Sequence, residues 1–346
     1  MANYADSRWT AFQYKLNELM NKPEFKHSPS PTLMLRLRNT DFLVPASEKE
    51  RLLGVKQSDQ DTVEINIIKK QAGSTASARA AAHTGSINDS EKTTVSFTTY
   101  TGKFKYSIKG SDRTIWSVAD QVSKQIRSQA IAIHAAIESD MITALNTNKN
   151  QSVISATPSS GEWDGTNFIF GILGADEDLW MQKLKGFMRE QYYEGGYDAV
   201  VDEYLLQKAQ YLTQQGGGNQ TNLGWQMEGL NLSVSQGLTL PDSYLGSGFI
   251  APSGSLGVLP WIPELNRTGY GSVGAVGGRY SSIPDPLGSG LTFAVHEYST
   301  AADNESNAGE TQDVDIQVEL SVDLGPVDAP MSTSNANPVN KFGILQ

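Results

Sequence analysis

Between Ser111 and Asn148, apolar residues recur at Ile115, Ala119, Val122, Ile126, Ala130, Ile133, Ile137, Met141 and Ala144. The steps are three or four throughout, which is one face of an α-helix. The opposite face carries Asp120, Gln121, Lys124, Arg127, Ser128, His134, Glu138 and Ser139, with Asp120 placed four residues before Lys124 in the favourable order for a helical ion pair. No Gly or Pro interrupts the run, and Ser111 or Asp112 can cap its start. At 1.5 Å per residue this predicts a helix about 50 Å long, well beyond the usual dozen or so residues. His134, on the polar side, reads as a solvated or interface side chain.

Other patterns flank this helix. Trp9, Phe12, Leu16 and Leu19 predict a short amphipathic helix over 3–21, stopped at Pro23. His27 to Pro31 reads as extended, and Leu33, Leu35 and Leu37 alternate with Met34, Arg36 and Arg38 as in a short strand. This front section of about 55 residues lacks an evident core of its own and reads as an arm buried against something else. Val63, Ile65 and Ile67 alternate with polar residues, and Val95, Phe97, Thr99, Phe104, Tyr106 and Ile108 do so on the return. Together they predict a long hairpin over 62–109, with a bulge or twist at Gly102. Its tip, 71–86, is almost all small residues and cannot build a core. A ribbon of two strands is marginal alone and needs a surface to lie on.

Beyond the helix, 151–165 is a Ser/Thr/Pro/Gly loop. Leu179, Met181, Leu184, Phe187 and Met188 predict a second helix over 175–191, with Asp176, Glu177 and Asp178 in its first turn. Tyr197–Asp202 reads as a short buried strand, Glu203–Gln215 as a third helix stopped by three glycines, and Leu230–Val234 and Gly248–Ala251 as further strands. With the proline-punctuated stretch Leu256–Pro263, these suggest one mixed α/β unit over 175–283. Two strands follow, Leu291–Tyr298 and Val314–Leu324, joined by a polar, acidic linker over 299–313. The last twenty residues read as a tail.

The chain has 346 residues, 38% of them apolar and none of them cysteine. That length suits two or three packing units. Without cysteine there is no disulfide, thiolate metal site or cysteine nucleophile. No apolar run approaches the roughly 20 residues that span a bilayer. The first residues lack the regions of a signal peptide, so the expectation is a protein that stays in the cytoplasm where it is made. The net charge of −11 argues against a general nucleic-acid binder. Residues 1–110 carry an excess of five positive charges and 111–346 an excess of sixteen negative ones. A basic front and an acidic back suit head-to-tail contact between copies.

Little chemistry is written into the chain. The four histidines, His27, His83, His134 and His296, share no metal-binding spacing. Walker A and GxSxG motifs are absent. Gly269-Tyr-Gly271-Ser-Val-Gly274 fits GxGxxG, but no helix pattern follows to meet a phosphate, so it reads as a flexible glycine loop. Asp303, Glu305, Glu310, Asp313 and Asp315 lack the EF-hand pattern and read as a solvated acidic loop. No catalytic, cofactor or metal residue is assigned, and the chain is not expected to be an enzyme.

The order of parts is distinctive: an arm, a hairpin with a small-residue tip (62–109), a very long helix (112–147), then 176–193, the strand at 195–201, and the stretch 248–257. It resembles the major capsid protein of tailed bacteriophages, the Hong Kong 97 fold. The resemblance implies an α+β chain with an N-terminal arm (1–55), an E-loop hairpin (56–110), a P-domain with its spine helix (111–174), an A-domain of mixed α/β structure (175–283), returning P-domain strands (284–325) and a C-terminal tail (326–346). It further implies hexamers and pentamers forming an icosahedral shell around double-stranded DNA, held without sequence-specific binding. The virion capsid is then the location, with assembly in the host bacterial cytoplasm. The expected partners are other copies, a separate scaffolding protein, a portal and decoration proteins, with no membrane and no cofactor. Basic candidates for contact between subunits are Arg36, Arg38, Lys69, Lys70, Arg79, Lys103, Lys105 and Lys109. Encapsulin compartments share this fold, but the glycine-rich loops and extended tail favour a phage shell. A tail or baseplate binding module, mostly β, fits the long helix poorly.

Overall fold

The computed structural model describes residues 14–19, 21–22, 27–56, 62–68, 90–107, 118–153, 158–214, 229–239, 243–267, 278–300, 315–329 and 337–346. In chain order the elements are α1 (Pro31–Leu43), α2 (Ala46–Lys56), β1 (Thr62–Ile68), β2 (Ser90–Ser96), β3 (Thr98–Ser107), α3 (Val118–Thr147), β4 (Glu162–Asp164), β5 (Ile169–Ile172), α4 (Trp180–Glu190), β6 (Tyr197–Val201) and α5 (Glu203–Gln214). They continue with β7 (Leu230–Val234), β8 (Tyr244–Pro252), β9 (Leu256–Trp261), α6 (Glu264–Arg267), β10 (Gly278–Pro284), β11 (Thr292–Thr300), β12 (Asp315–Asp328) and β13 (Asn340–Leu345). The chain is α+β. It divides into one unit of residues 1–30, 97–137 and 260–325, and a second of 31–96, 138–259 and 326–346.

In the first unit the strand order is β10-β11-β12-β3, antiparallel throughout. The alternation predicted for β12 appears as buried Ile316, Val318, Leu320, Val322 and Leu324. Tyr100, Phe104 and Tyr106 of β3 are buried too. On α3, the apolar residues buried up to Ile137 are Val122, Ile126, Ala130, Ile133 and Ile137, the stripe anticipated from the three-and-four spacing. Gly102 pairs with Leu320 in an unbroken ladder, so it marks no bulge. A Cβ there would lie 2.9 Å from Gln129 of α3, so the glycine lets the helix approach the sheet. The expected hairpin is therefore shorter than 62–109. β1 pairs with β2 from Thr62↔Ser96 to Ile68↔Ser90, and β3 joins β12 instead. Residues 71–86 lie outside the described residues.

The second unit is built on a six-stranded sheet, β4-β5-β13-β8-β6-β7. β13 runs parallel to β5 and antiparallel to β8. One face holds Phe170, Trp180, Leu184, Phe187, Tyr197, Ala199, Val201, Leu205, Phe342 and Ile344 in a single cluster under α4 and α5. Phe170 stacks on Phe187 at 4.1 Å, and Trp180 on Phe342 at 6.0 Å. The other face packs Val200, Phe249, Ala251 and Leu256 against Leu35 of α1 and Ile142 and Leu145 of α3. A strand covered on both faces reads as a continuous apolar run, which is why Tyr197-Asp-Ala-Val-Val201 was legible. Gly248 is needed at its place, since a Cβ would meet the Val200 carbonyl at 2.6 Å and the Phe342 ring at 2.7 Å.

Five expectations are corrected here. Residues 33–37 are helix, not strand. Ser30-Pro31 supplies the start, with proline at the first helical position, and Thr32, Leu33, Leu35, Arg36, Asn39 and Thr40 are the buried face. That face has the helical period, but four of its six residues are polar. Consequently 31–56 is not an arm awaiting a neighbour, because Leu33, Leu35, Val44 and Leu52 are buried within their own unit. The helix expected from 175 begins as a 3₁₀ turn over Gly174–Leu179, and the α/β unit closes at Leu259 rather than at 283. The tail over 326–346 contains β13, one of the inner strands of the six-stranded sheet.

β13 also buries a cation. Lys341 Nζ lies 3.3 Å from Asn146 Oδ1 and from the Thr239 carbonyl, and 5.6 Å above the Phe249 ring. Burial, with Lys149 adding like-charge repulsion, pushes the amine below its ordinary 10.5. The folded chain thus gives up this proton at lower pH than the unfolded chain, so unfolded chains hold more protons in between. Stability is expected to rise with pH from the lowered value up to about 10.5, and to lose this rise in Lys341→Met. Urea midpoints at two alkaline pH values, one on each side of the lowered value, check it.

Candidate interaction surface

The eight basic candidates do not converge on one patch. Arg36 is fully buried, its Nη1 donating to Asp328 Oδ1 at 2.6 Å and to the Gly257 carbonyl at 3.1 Å. It holds its own unit together and is not available at the surface, which corrects its place among the contacts. Arg38 is half exposed and its Nη2 donates to Asp198 Oδ1 at 3.1 Å. Asp198 is buried, facing α1, and also accepts from Asn39 at 2.5 Å and Asn231 at 2.8 Å. Arg38 therefore fixes α1 to β6 and β7 with one end and meets solvent with the rest of its side chain. Lys69, Lys70, Arg79 and Lys109 lie outside the described residues.

Lys103 and Lys105 do share a surface. β3 is the last strand in its sheet order, and its register sets the outer face row by row. Lys103 stands opposite Glu319, Glu319 opposite His296, and His296 opposite Tyr280. The next row runs Lys105, Gln317, Tyr298. Directly opposed residues share a face and interact. The Lys103 ammonium sits 3.0 Å from Glu319, and the Tyr280 and His296 rings stack at 4.6 Å. Lysines along a last strand also discourage unwanted pairing with a further strand. A shallow hollow on this face is lined by Lys103, Lys105, His296, Tyr298, Gln317 and Glu319. The face thus grades from cationic at β3 to aromatic at β10 and β11, a surface able to recognise another protein by charge and by flat apolar rings. Sequence alternation reveals β3 and β12, but not that they are neighbours, so the rows could not be read in advance.

Among the described residues no constellation for catalysis assembles. Among the described residues no group of three or more His, Asp or Glu side chains is placed to hold a metal ion. Asp315 lies in β12, while Asp303, Glu305, Glu310 and Asp313 fall outside the described residues, as does the GxGxxG stretch 269–274. His134, expected at a solvated or interface position, is buried against Asp285. The reason is local: one turn of the polar face of α3 is covered by the turn after β10. Among the described residues no helix is long and apolar enough to cross a membrane.

No family model and no curated relative matches the chain. Among solved structures, it is similar to one titled Mycobacterium phage Che8, at 13% identity and a TM-score of 0.43, over 84% of this chain and 87% of that one. It is similar to the capsid of Ralstonia phage GP4 at 9% identity and a TM-score of 0.45, over 83% and 84%. The capsid of a native GTA particle gives 9% identity and a TM-score of 0.45, over 83% and 86%. Likeness at these values carries none of the functional reading below.

Proposed function

We propose that the chain is a structural, non-enzymatic subunit: the major capsid protein of a tailed bacteriophage, with the Hong Kong 97 fold. Copies assemble as hexamers and pentamers into an icosahedral shell enclosing double-stranded DNA, in the host cytoplasm. The observation that carries the reading is the succession β1–β2 ribbon, β3, α3. A sheet of only two strands leads through an edge strand into a thirty-residue helix. The inner face of the ribbon is covered within its own chain, with Val63, Ile65 and Val95 buried and Arg51 donating to the Glu64 carbonyl, so in this reading its outer face and free edges meet another copy. In this reading 56–110 supplies the E-loop, α3 the spine of the P-domain with β10, β11 and β12, and the six-stranded sheet the A-domain. The acidic remainder of the chain repels packaged DNA, so that the genome is enclosed without sticking to the wall.

The decisive measurement is the mass of native particles by light scattering. A species of megadaltons is expected, with nucleic-acid absorbance inside it, and a single chain or small oligomer overturns the proposal. Protein-filled particles without nucleic acid indicate an encapsulin-type compartment instead. Reversing the charges of Lys103, Lys105 and Lys109 together tests the basic edge. The Lys103 side chain is 69% exposed, so its bridge to Glu319 contributes little to folding. The folded chain is expected to persist while shell yield falls, and normal shells from the triple variant refute the electrostatic contribution.

A further inference from the structure

α3 carries a histidine whose hydrogen bonds identify its tautomer. His134 is 2% exposed, and its Nδ1 lies 3.2 Å from the backbone nitrogen of Ser30. A backbone N–H only donates, so Nδ1 holds the lone pair and the proton sits on Nε2. Nε2–H points at Asp285 Oδ2, 2.8 Å away. That carboxylate is buried as well, and accepts the Leu287 N–H at 2.9 Å, the Ser289 N–H at 3.1 Å and the Ser289 hydroxyl.

We propose that His134 is a proton-operated latch on the segment ending at Ser30: the neutral ring holds the Ser30 amide, and protonation at Nδ1 sets donor against donor and releases it. The two sides of the ring respond differently. On the Nε2 side, Asp285 keeps its attraction and strengthens it, so the ring stays tethered to the turn between β10 and β11. On the Nδ1 side the only change is loss of an acceptor. Opening is therefore directed at Ser30.

Among the described residues, Asp285 is the charged group facing the ring from the β10–β11 turn, with the Ser289 hydroxyl bound to that same carboxylate. Phe293 of β11 meets the ring edge-on at 6.2 Å and carries no charge. On α3 itself, Glu138 lies one turn further along and accepts the Thr32 N–H at 3.1 Å and its hydroxyl at 2.7 Å. Burial pushes the Asp285 carboxyl up, but hydrogen bonds from His134 and Ser289 outweigh it and hold it below the ordinary carboxylate range. The carboxylate thus stays charged where an imidazole takes up its proton. The latch does not depend on the chain forming a shell.

The experiment is amide hydrogen exchange of the full chain read by mass spectrometry, on peptides spanning Ser28–Leu33, from about pH 8 to about pH 5 and corrected for intrinsic exchange. Protection at Ser30 is expected to fall by about tenfold or more on acidification. Asp285→Asn removes the support for the imidazolium and moves the release to lower pH. His134→Asn offers a carbonyl that binds no proton, and flattens the profile. If either variant fails to fold, the unmodified protein still decides, because exchange at the His134 ring carbon reports its titration. The midpoint of that titration and of Ser30 release must coincide. Separate midpoints, or protection unchanged across the range, overturn the latch.

Discussion

Deletion of residues 340–346 is expected to abolish cooperative folding of the second unit. β13 is the strand that joins β4 and β5 to β8, β6 and β7, and without it the sheet falls into two pieces. It contributes Phe342 and Ile344 to the main cluster, both fully buried, with Phe342 stacked on Trp180. Burying each such side chain stabilises by about 1.5–3 kcal/mol. The ladders to β5 and β8 are lost as well, leaving buried backbone groups without partners. The total is comparable to the roughly 5–15 kcal/mol that holds a whole domain. Phe342→Ala alone is expected to cost about 3–5 kcal/mol, because the closely stacked rings cannot collapse into the space. Urea unfolding followed by tryptophan fluorescence measures both, since Trp180 reports directly on Phe342. A truncated chain that unfolds at the original midpoint shows that β13 is not part of the sheet.

That strand also shows where sequence reading stops. Its residues, Asn-Lys-Phe-Gly-Ile-Leu, follow a Ser/Asn/Pro stretch, and Lys341 and Gly343 break the apolar run. Burial of Lys341 depends on Asn146 and Thr239, which lie far away in sequence. The same blindness affected α1. Leucines at 33, 35 and 37 alternate like a strand, yet the buried face is completed by Arg36, Asn39 and Thr40. Those side chains bind Asp328, Asp198 and the Val258 carbonyl, partners that no local window contains. By contrast α3, β6 and β12 were legible, because each buries an apolar set dense enough to show its type in the sequence, whatever distant partners Asp198 and His134 find. The outer face of the first sheet falls between these cases. Its lysines were visible, whereas the register that sets them beside His296 and Tyr298 is a property of strand neighbours. His134 was misjudged for the same reason, since Asp285 is what allows it inside.

Arg36→Ala is expected to destabilise the second unit by about 3–5 kcal/mol, more than its position on a surface-like helix would suggest. The guanidinium is fully buried and is the cation within reach of Asp328, whose other described contact is the Asn148 amide at 2.7 Å. Removing it leaves a mostly buried carboxylate without its counter-charge, and a cavity between α1 and the loop at Gly257. Yet the pair is not an optimal one. Among the described residues Nε and Nη2 of Arg36 find no hydrogen-bond partner, so part of the desolvation cost is not recovered there. Replacing both members by apolar residues, Arg36→Met with Asp328→Leu, therefore recovers most of the loss, or exceeds the starting stability. Denaturant midpoints of the two single variants and the double variant complete the cycle. A single Arg36→Ala costing less than about 1 kcal/mol refutes the buried pair. A double variant no better than the single ones shows that the ion pair, with its unsatisfied donors, is worth more than apolar packing. In the expected outcome, the pair's value lies in registering α1 against the end of β12, since Asp328 can accept from Arg36 in only one position of the helix.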